Sequence, residues 1–558
     1  MANRKKMNCC HHQPRQPIFL FIYASMIMLP ASLLPAPVFT AMALSTRFST
    51  LPRPFLQQRH STGVRRRRQF PSQYLCASPT RNSNQDAYTA ESSSSSSSNN
   101  NNDCRPIYLD YNGTTKTDKR VLEAMLPYFT EHWGNPSSSH FYGQEPKRAV
   151  AKARRSILSL LTPSRMAIPS IEEEDDDCGD DGIVFTGCGT EADNLAIHLA
   201  LEANRFRFLP SKQNEDGNER TKGLGLPHIV TSNVEHPAIS ECLKSLEDDN
   251  RIMVTYVAVD KEGIVPAQAM IEAIVETEND AGGGTTVLVT MMLANNESGS
   301  LQPVREVADY CRTKGILFHT DAAQAVGKVS LSMEGGKSTS SGVNGIGSNV
   351  DMVTIVGHKF GAPKGVACLY IRPGCFNRKH LSEPKNYMLL GGGQENGRRG
   401  GTENVPYIVG MGVAADILMQ KMPQGDLQWQ QDAHWMKAMR YRLLKSLTKG
   451  LPDRIVRDNG PRRHFNRLPN TLSVGFRGVD SSQLLERIQH RVACSAGAAC
   501  HSSDGKGKIS SVLEAMEVPM EYAAGTLRLS VGPGTTEDEI DMASVTIIEE
   551  VKRQLTSI

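Results

Sequence analysis

Between residues 183 and 371 the chain alternates two kinds of pattern. Short apolar runs rich in β-branched residues are Ile183–Thr186, His228–Ser232, Met253–Val259, Thr286–Met292, Ile316–His319, Met352–Val356 and Val366–Ile371. Their length and near-continuous apolarity predict strands buried on both faces. Between them, Thr190–Ala203, Pro237–Leu246, Pro266–Thr277 and Pro303–Arg312 carry helical spacing, and a proline at three of the starts suits a first helical turn. Strand–helix alternation of this kind predicts an α/β fold with a mostly parallel seven-stranded sheet covered by helices on both faces. After about residue 420 the pattern turns helix-rich and then mixed, which predicts a smaller α+β domain over 421–558. Three stretches interrupt the alternation: acidic 172–181, polar 209–227 and Gly/Ser-rich 335–349. Each reads as a surface insertion without chemistry of its own.

The first 103 residues follow no such pattern. Lys5 and Lys6 precede an apolar stretch, Ile18–Met28, and then prolines and small residues to about residue 44, the layout of a signal peptide. The apolar stretch is interrupted too early for a membrane span, so no stable span is expected in the mature protein. Residues 45–85 are rich in Arg and Ser and hold no acid, as transit peptides do, and the Ser and Asn runs over 92–102 are a low-complexity linker. A two-part presequence implies a plastid. A mitochondrial presequence gives the same composition, and a wrongly placed start would leave a cytosolic protein.

Charge changes the picture little. The net charge is +3, but the basic excess lies in the N-terminal segment, where Arg65–Arg68 form a run. The remaining chain is acidic, which argues against nucleic-acid binding. The chain holds 12 cysteines and no C-x-x-C pair, so neither a disulfide framework nor a zinc site is expected, and no metal is assigned.

Candidate chemistry sits at the ends of the predicted strands, where open α/β sheets collect ligands. Thr186-Gly187-Cys188-Gly189-Thr190-Glu191 joins a strand to a helix and suits a phosphate on the helix N-terminus. It also approximates a dinucleotide motif, but the acid expected on the following strand to hold a ribose is missing, so a nicotinamide enzyme is disfavoured. His319-Thr320-Asp321 and Val356-Gly357-His358-Lys359 place an acid and a lysine at neighbouring strand ends. Pyridoxal-phosphate chemistry needs that pair, a lysine for the Schiff base and an acid for the pyridinium nitrogen. Either residue alone reads as a cap or a structural group, and only the pair points to that chemistry. His236, at another strand end, can stack on an aromatic ligand and move protons. Asn295-Asn296 offers amides to a planar ligand. Arg528, amid apolar alternation, requires an anionic partner, which a substrate carboxylate would supply. Cys500, among small residues in Ala496–Ser502, is a candidate nucleophile, and Cys494 nearby reads as an inert buried thiol.

Taken in order, LDYN at 109–112, GNPS at 134–137, TGCGTEADN, NVEHPAIS, LANNESG, HTDAAQAVGK, VGHK, GGGQE, GTEN, AGAACHS and LRLSVG resemble the cysteine desulfurase and selenocysteine lyase family. The resemblance runs from about Pro106 to the C-terminus. It implies a fold type I pyridoxal 5'-phosphate enzyme of the aminotransferase class V kind, working as a homodimer. Residues 104–120 would form an arm joining the small domain, and 121–420 the cofactor domain. Lys359 would carry the cofactor and take the substrate α-proton, Asp321 would face the pyridinium nitrogen, and His236 would stack on the ring. Asn296 and Gln324 would bond the cofactor near its phenolic oxygen. Gly189, Thr190 and His358 would hold the phosphate, with Thr402 reaching it from the other subunit. Arg528 and Asn296 would bind substrate, and Cys500 would act at selenium or sulfur. The Ala499-Cys500-His501 loop resembles selenocysteine lyases most, so L-selenocysteine is the expected substrate, with L-cysteine and a persulfide on Cys500 as the alternative and an acceptor protein as a further partner. Val356, Cys188 and Arg399-Gly400 depart from the family's usual residues and put the phosphate contacts in doubt. A scaffold that kept the fold and lost the chemistry is disfavoured by retention of Lys359, Asp321, His236 and Cys500 together.

Overall fold

The seven apolar runs do form one sheet, and six of its strands are parallel, but Met253–Val257 is an edge strand with Met253 and Tyr256 exposed, not the buried strand expected. The computed structural model describes residues 105–164, 182–208, 225–279, 284–334, 345–384, 388–499 and 508–556. The presequence expected over 1–103, the acidic insertion 172–181, most of 209–227 and 335–349, and Cys500 lie outside these residues. Strand β1 (Ile107–Tyr108) belongs to the arm. The large sheet comprises β2 (Ile183–Thr186), β3 (Pro227–Ser232), β4 (Met253–Val257), β5 (Thr285–Thr290), β6 (Leu317–Asp321), β7 (Met352–Val356) and β8 (Ala367–Ile371), in the order β2-β8-β7-β6-β5-β3-β4. β8 runs antiparallel to both its neighbours. The connection 357–366 is too short for a crossover helix, so the chain can only turn back.

The helices hold to their periodicity with shifted ends. The second of the four spans Pro237–Asp248 with Pro237 in its first turn, whereas Pro266 and Pro303 precede their helices. Val304–Lys314 ends on Gly315 at φ 72°, a left-handed cap, with Arg312 and Lys314 in the last turn facing the negative helix end. Two apolar layers, one on each face of the sheet, bury its side chains. Asp351, just before β7, is buried and takes Arg372, Arg378 and the Phe318 N–H, so one carboxylate ties β6, β7 and the chain after β8 together.

The small C-terminal sheet is antiparallel, in the order β12-β15-β10-β9, from β9 (Val456–Asp458), β10 (Thr471–Phe476), β12 (Ser495–Ala496) and β15 (Thr526–Ser530). Between these, β11 (Val492–Ala493) pairs with β1, and β13 (Ala498–Ala499) pairs with β14 (Lys508–Ile509). Helices Gln428–Gly450, Ser481–Ile488 and Glu537–Thr556 pack on this sheet around Leu443, Phe476 and Ile547. Leu109 of the arm is buried in the same core, and Asp110 pairs with Ser530 beside β15. The arm thus threads from the small sheet to the loops of the large one. No helix among the described residues is long and apolar enough to cross a membrane.

Candidate active site

The carboxyl ends of β2, β3, β5, β6 and β7 face the same way, and the loops that leave them gather Gly189, His236, Asn296, Asp321 and Lys359. Lys359 follows β7 in a single 3-10 turn, Gly357–Lys359. Its Nζ donates to the carbonyls of Asn112 (2.5 Å) and Gly113 (2.9 Å) in the arm. Burial, with Arg528 nearby, lowers this amine to about 8, against the pull of Asp321 and Asp110. A lysine so placed exchanges its proton near neutrality.

Asp321 is the last residue of β6 and is buried; its Oδ1 accepts the Ala323 N–H at 2.8 Å. Burial raises its carboxyl, while Ala323, His236 and Lys359 oppose the shift. His236 caps the helix Pro237–Asp248, its Nδ1 accepting the Ala238 N–H at 3.1 Å. A neutral His236 therefore carries its proton on Nε2. Burial lowers its pKa most, Asp321 pulls it up and Lys359 pushes it down, so the three groups share one electrostatic site.

The helix Gly189–Ala203 starts beside them. A side chain at Gly189 would place its Cβ 2.6 Å from Val356 Cγ2, so only glycine lets this turn close on β7. Thr190 is exposed at the first turn. Glu191, the acid in that turn, is turned aside by Arg399 (2.8 Å) and by the Gly187 N–H (2.7 Å), which leaves the helix end open to an anion. Gly189→Ala is expected to destabilise the protein by about 1–3 kcal/mol through this clash. Thermal melting checks it, and adding Val356→Ala is expected to restore most of the loss.

His358 Nδ1 lies 3.1 Å from Thr114 Oγ1, and burial with Lys359 and Lys364 lowers the ring to about 4, so it stays neutral. Gln324 donates from Nε2 to the Asn112 carbonyl at 3.0 Å, and its buried Oε1 has no partner among the described residues. Asn296 contributes its carbonyl, which accepts from Asn112 Nδ2 at 3.0 Å. Arg528, on β15, reaches the site from the small C-terminal sheet. Its Nη2 donates to Asp110 Oδ1 (2.8 Å) and Ser495 Oγ (3.1 Å), so the anionic partner it requires is already present within the chain. Thr402 is exposed.

Several polar groups here escaped the sequence reading. Asn112 is buried, and its carbonyl is the acceptor shared by Lys359 and Gln324. Glu235 is half-buried beside Ser232 and the Met292 N–H, and loss of solvent around its carboxyl raises it to about 8, so it is largely protonated at neutral pH. His319 sits in β6 between Thr290 Oγ1 (2.9 Å) and Thr354 Oγ1 (3.0 Å), facing buried Asp193 at 3.8 Å. Lys328 donates its buried ammonium to the Gln324 carbonyl at 3.0 Å, and burial lowers it to about 7. The available signal was polarity in the wrong place: His319 and Thr320 lie in a strand whose five residues are all buried.

Residues 107–542 match the family model described as aminotransferase class-V. The chain is 37% identical over 448 residues to a cysteine desulfurase of Nostoc sp., covering 80% of this chain and 93% of that protein. It is 34% identical over 436 residues to the cysteine desulfurase NifS of Azotobacter vinelandii, covering 78% and 90%. Among solved structures it is similar to a NifS-like protein, at 29% identity and a TM-score of 0.61, over 81% of this chain and all (100%) of that one. It is also similar to SspA in complex with cysteine, at 27% identity and a TM-score of 0.55, over 77% and 100%.

Proposed function

The chain belongs to the aminotransferase class-V family, in its cysteine desulfurase/NifS group, and on that premise we propose that it takes sulfur from L-cysteine, with pyridoxal 5'-phosphate as cofactor, and leaves L-alanine. The observation that carries this reading is the meeting of Lys359, Asp321 and His236 at the carboxyl ends of β7, β6 and β3, with the Arg528 guanidinium held across from them by the small C-terminal sheet.

The residues present fit the cofactor. The glycine-tight helix start at Gly189 and Thr190 offers N–H donors to a phosphate, and the buried, unpartnered Gln324 Oε1 awaits a donor. When bound, pyridoxal phosphate supplies an electron sink for charge released at the substrate α-carbon. Asp321 holds a proton at the pyridine nitrogen, which satisfies its own buried carboxylate. His236 offers a ring face to the cofactor and, through Nε2–H, a proton. Lys359 anchors the cofactor and then moves the α-proton, which an amine poised at about 8 does readily. Arg528 orients the substrate carboxylate, with Asn296 beside it. Val356 is apolar against Gly189 and offers no hydroxyl, so a phosphate would be held by the backbone, Thr190, His358 and, in a homodimer, Thr402 of the other subunit.

Cys500 takes the sulfur. Its thiolate bonds to the substrate sulfur as the substrate C–S bond breaks, the bonding pair stays with carbon, and carbon is then protonated to alanine. The persulfide balances this step without an outside oxidant and passes to an acceptor protein. The relatives named above are cysteine desulfurases, which gives sulfur more weight than the selenium preference expected from the loop. That loop, Ala499-Cys500-His501, still supports L-selenocysteine as a second substrate, since a selenol is ionised at neutral pH and its bond to carbon is weaker. We place the mature enzyme in a plastid or mitochondrion, on the acid-free, Arg-rich composition of residues 45–85.

Alanine formation from each amino acid, by wild type and by Cys500→Ala, tests the assignment. Turnover of L-cysteine that depends on Cys500 is expected. Turnover of L-selenocysteine alone, indifferent to Cys500, would replace desulfurase by lyase.

A further inference from the structure

The carboxylate clamp is not empty-handed in the absence of substrate. Arg528 can serve an incoming carboxylate best through two parallel N–H donors. One of its terminal nitrogens, Nη2, is already engaged, by Asp110 Oδ1 at 2.8 Å and Ser495 Oγ at 3.1 Å. The other, Nη1, reaches only the Asn296 carbonyl at 3.5 Å, and buried Nε has no partner among the described residues. The guanidinium is thus half used, and its used half is held by an anion of the protein itself.

The arm fixes that anion from both sides. Ser530 N–H donates to the Leu109 carbonyl at 2.8 Å, Tyr111 N–H to the Ser530 carbonyl at 3.3 Å, and Asn112 N–H to Ser530 Oγ at 2.9 Å. Backbone displacement would break this set, so Asp110 leaves Arg528 by rotating its side chain. The pair is partly exposed, with side-chain accessibilities of 14% for Arg528 and 26% for Asp110, so rotation gives the carboxylate water in exchange. Asp110 Oδ2 lies close over Gly113, where an added Cβ would come within 2.5 Å of it, and the Gly113 carbonyl holds Lys359 Nζ at 2.9 Å. One turn of the arm therefore touches both the clamp and the cofactor lysine.

We infer that Asp110 is a built-in counter-anion of the Arg528 clamp, which a substrate carboxylate must displace, and that it thereby sets the affinity of the site for carboxylate ligands. The inference rests on the reading of Arg528 as that clamp. Asp110 is a positioning residue: it acts through Arg528 and touches no reacting atom. A ligand without a carboxylate breaks the pair and puts nothing in its place, so the exchange also selects for the acid over its amide.

The test uses the full-length holoenzyme and 3-mercaptopropionate, which keeps the thiol and carboxylate of cysteine and lacks the amine. In Asp110→Asn its inhibition constant is expected to fall about three- to tenfold, as is KM for L-cysteine, with kcat moved less than KM. In Arg528→Ala inhibition should weaken strongly. Unchanged inhibition in Arg528→Ala would sink the clamp itself. Weakened inhibition there, with an unchanged or higher constant in Asp110→Asn, would sink the counter-anion and leave the clamp standing. Should Asp110→Asn fold poorly, a crystal structure of the wild type with 3-mercaptopropionate decides: Asp110 turned away from Arg528 supports the exchange, and the pair intact beneath a bound carboxylate overturns it.

Discussion

Lys359→Ala is expected to lower alanine formation by about 10⁴-fold or more and to remove the visible absorption of bound cofactor. One amine has two duties here, anchoring and proton transfer, and no neighbour can take them over. Lys328, a buried lysine beside the half-buried Lys359, is turned to the Gln324 carbonyl. The position of Lys359 is set by the strand β7 and by the two arm carbonyls at 2.5 and 2.9 Å, so a lysine supplied elsewhere would not recover the geometry. The same amine gives a pH dependence. Only its neutral form can take up the cofactor, and burial lowers it to about 8. About half is neutral at pH 8 and about one part in a hundred at pH 6, so the rate of reconstitution of apoprotein should rise with pH and level off above about 8. A rate independent of pH between 6 and 8 would contradict this placement of Lys359.

Asp321→Asn is expected to cost about 10²–10⁴-fold in kcat with little change in KM. The amide keeps the shape and can still accept the Ala323 N–H, so the pocket persists. It cannot hold the pyridine nitrogen protonated, so the electron sink weakens at the moment it is needed. Stability should move the other way. Burial raises the Asp321 carboxyl, which means that its charged form is disfavoured in the folded apoprotein, and a neutral amide relieves that cost. Apoprotein melting that is unchanged or higher, alongside lost turnover, separates a functional acid from a structural one.

Much of this was legible in the chain. Apolar runs located all seven strands, because six of them are buried on both faces and show near-continuous apolarity, while the exposed edge strand β4 kept enough β-branched and aromatic residues to be found, and the strand ends then pointed to Asp321, Lys359 and His236. The direction of β8 was hidden in connection length rather than in pattern. The end of β6 was placed two residues early because polar Thr320 and Asp321 continue a buried strand, and the end of β5 two residues late because apolar Met291 and Met292 follow it outside the ladder. Arg528 was recognised as a cation in need of an anion, but its partner Asp110 lies 418 positions away and is brought to it only by the arm's pairing with Ser530. Asn112 stood in the LDYN motif but carried no assigned role, for a related reason. It acts through a backbone carbonyl, which every residue has. The role of Glu235 and Lys328 depends on burial, and burial of a charged side chain is a tertiary fact that no local spacing reports.

The most direct test of desulfurization is the mass of the tryptic peptide carrying Cys500 after the holoenzyme has turned over one equivalent of L-cysteine without added thiol. This peptide is expected to gain one sulfur atom, matched by one equivalent of alanine, and Cys500→Ala to yield neither. Alanine with free sulfide and an unmodified Cys500 peptide would contradict sulfur transfer to Cys500.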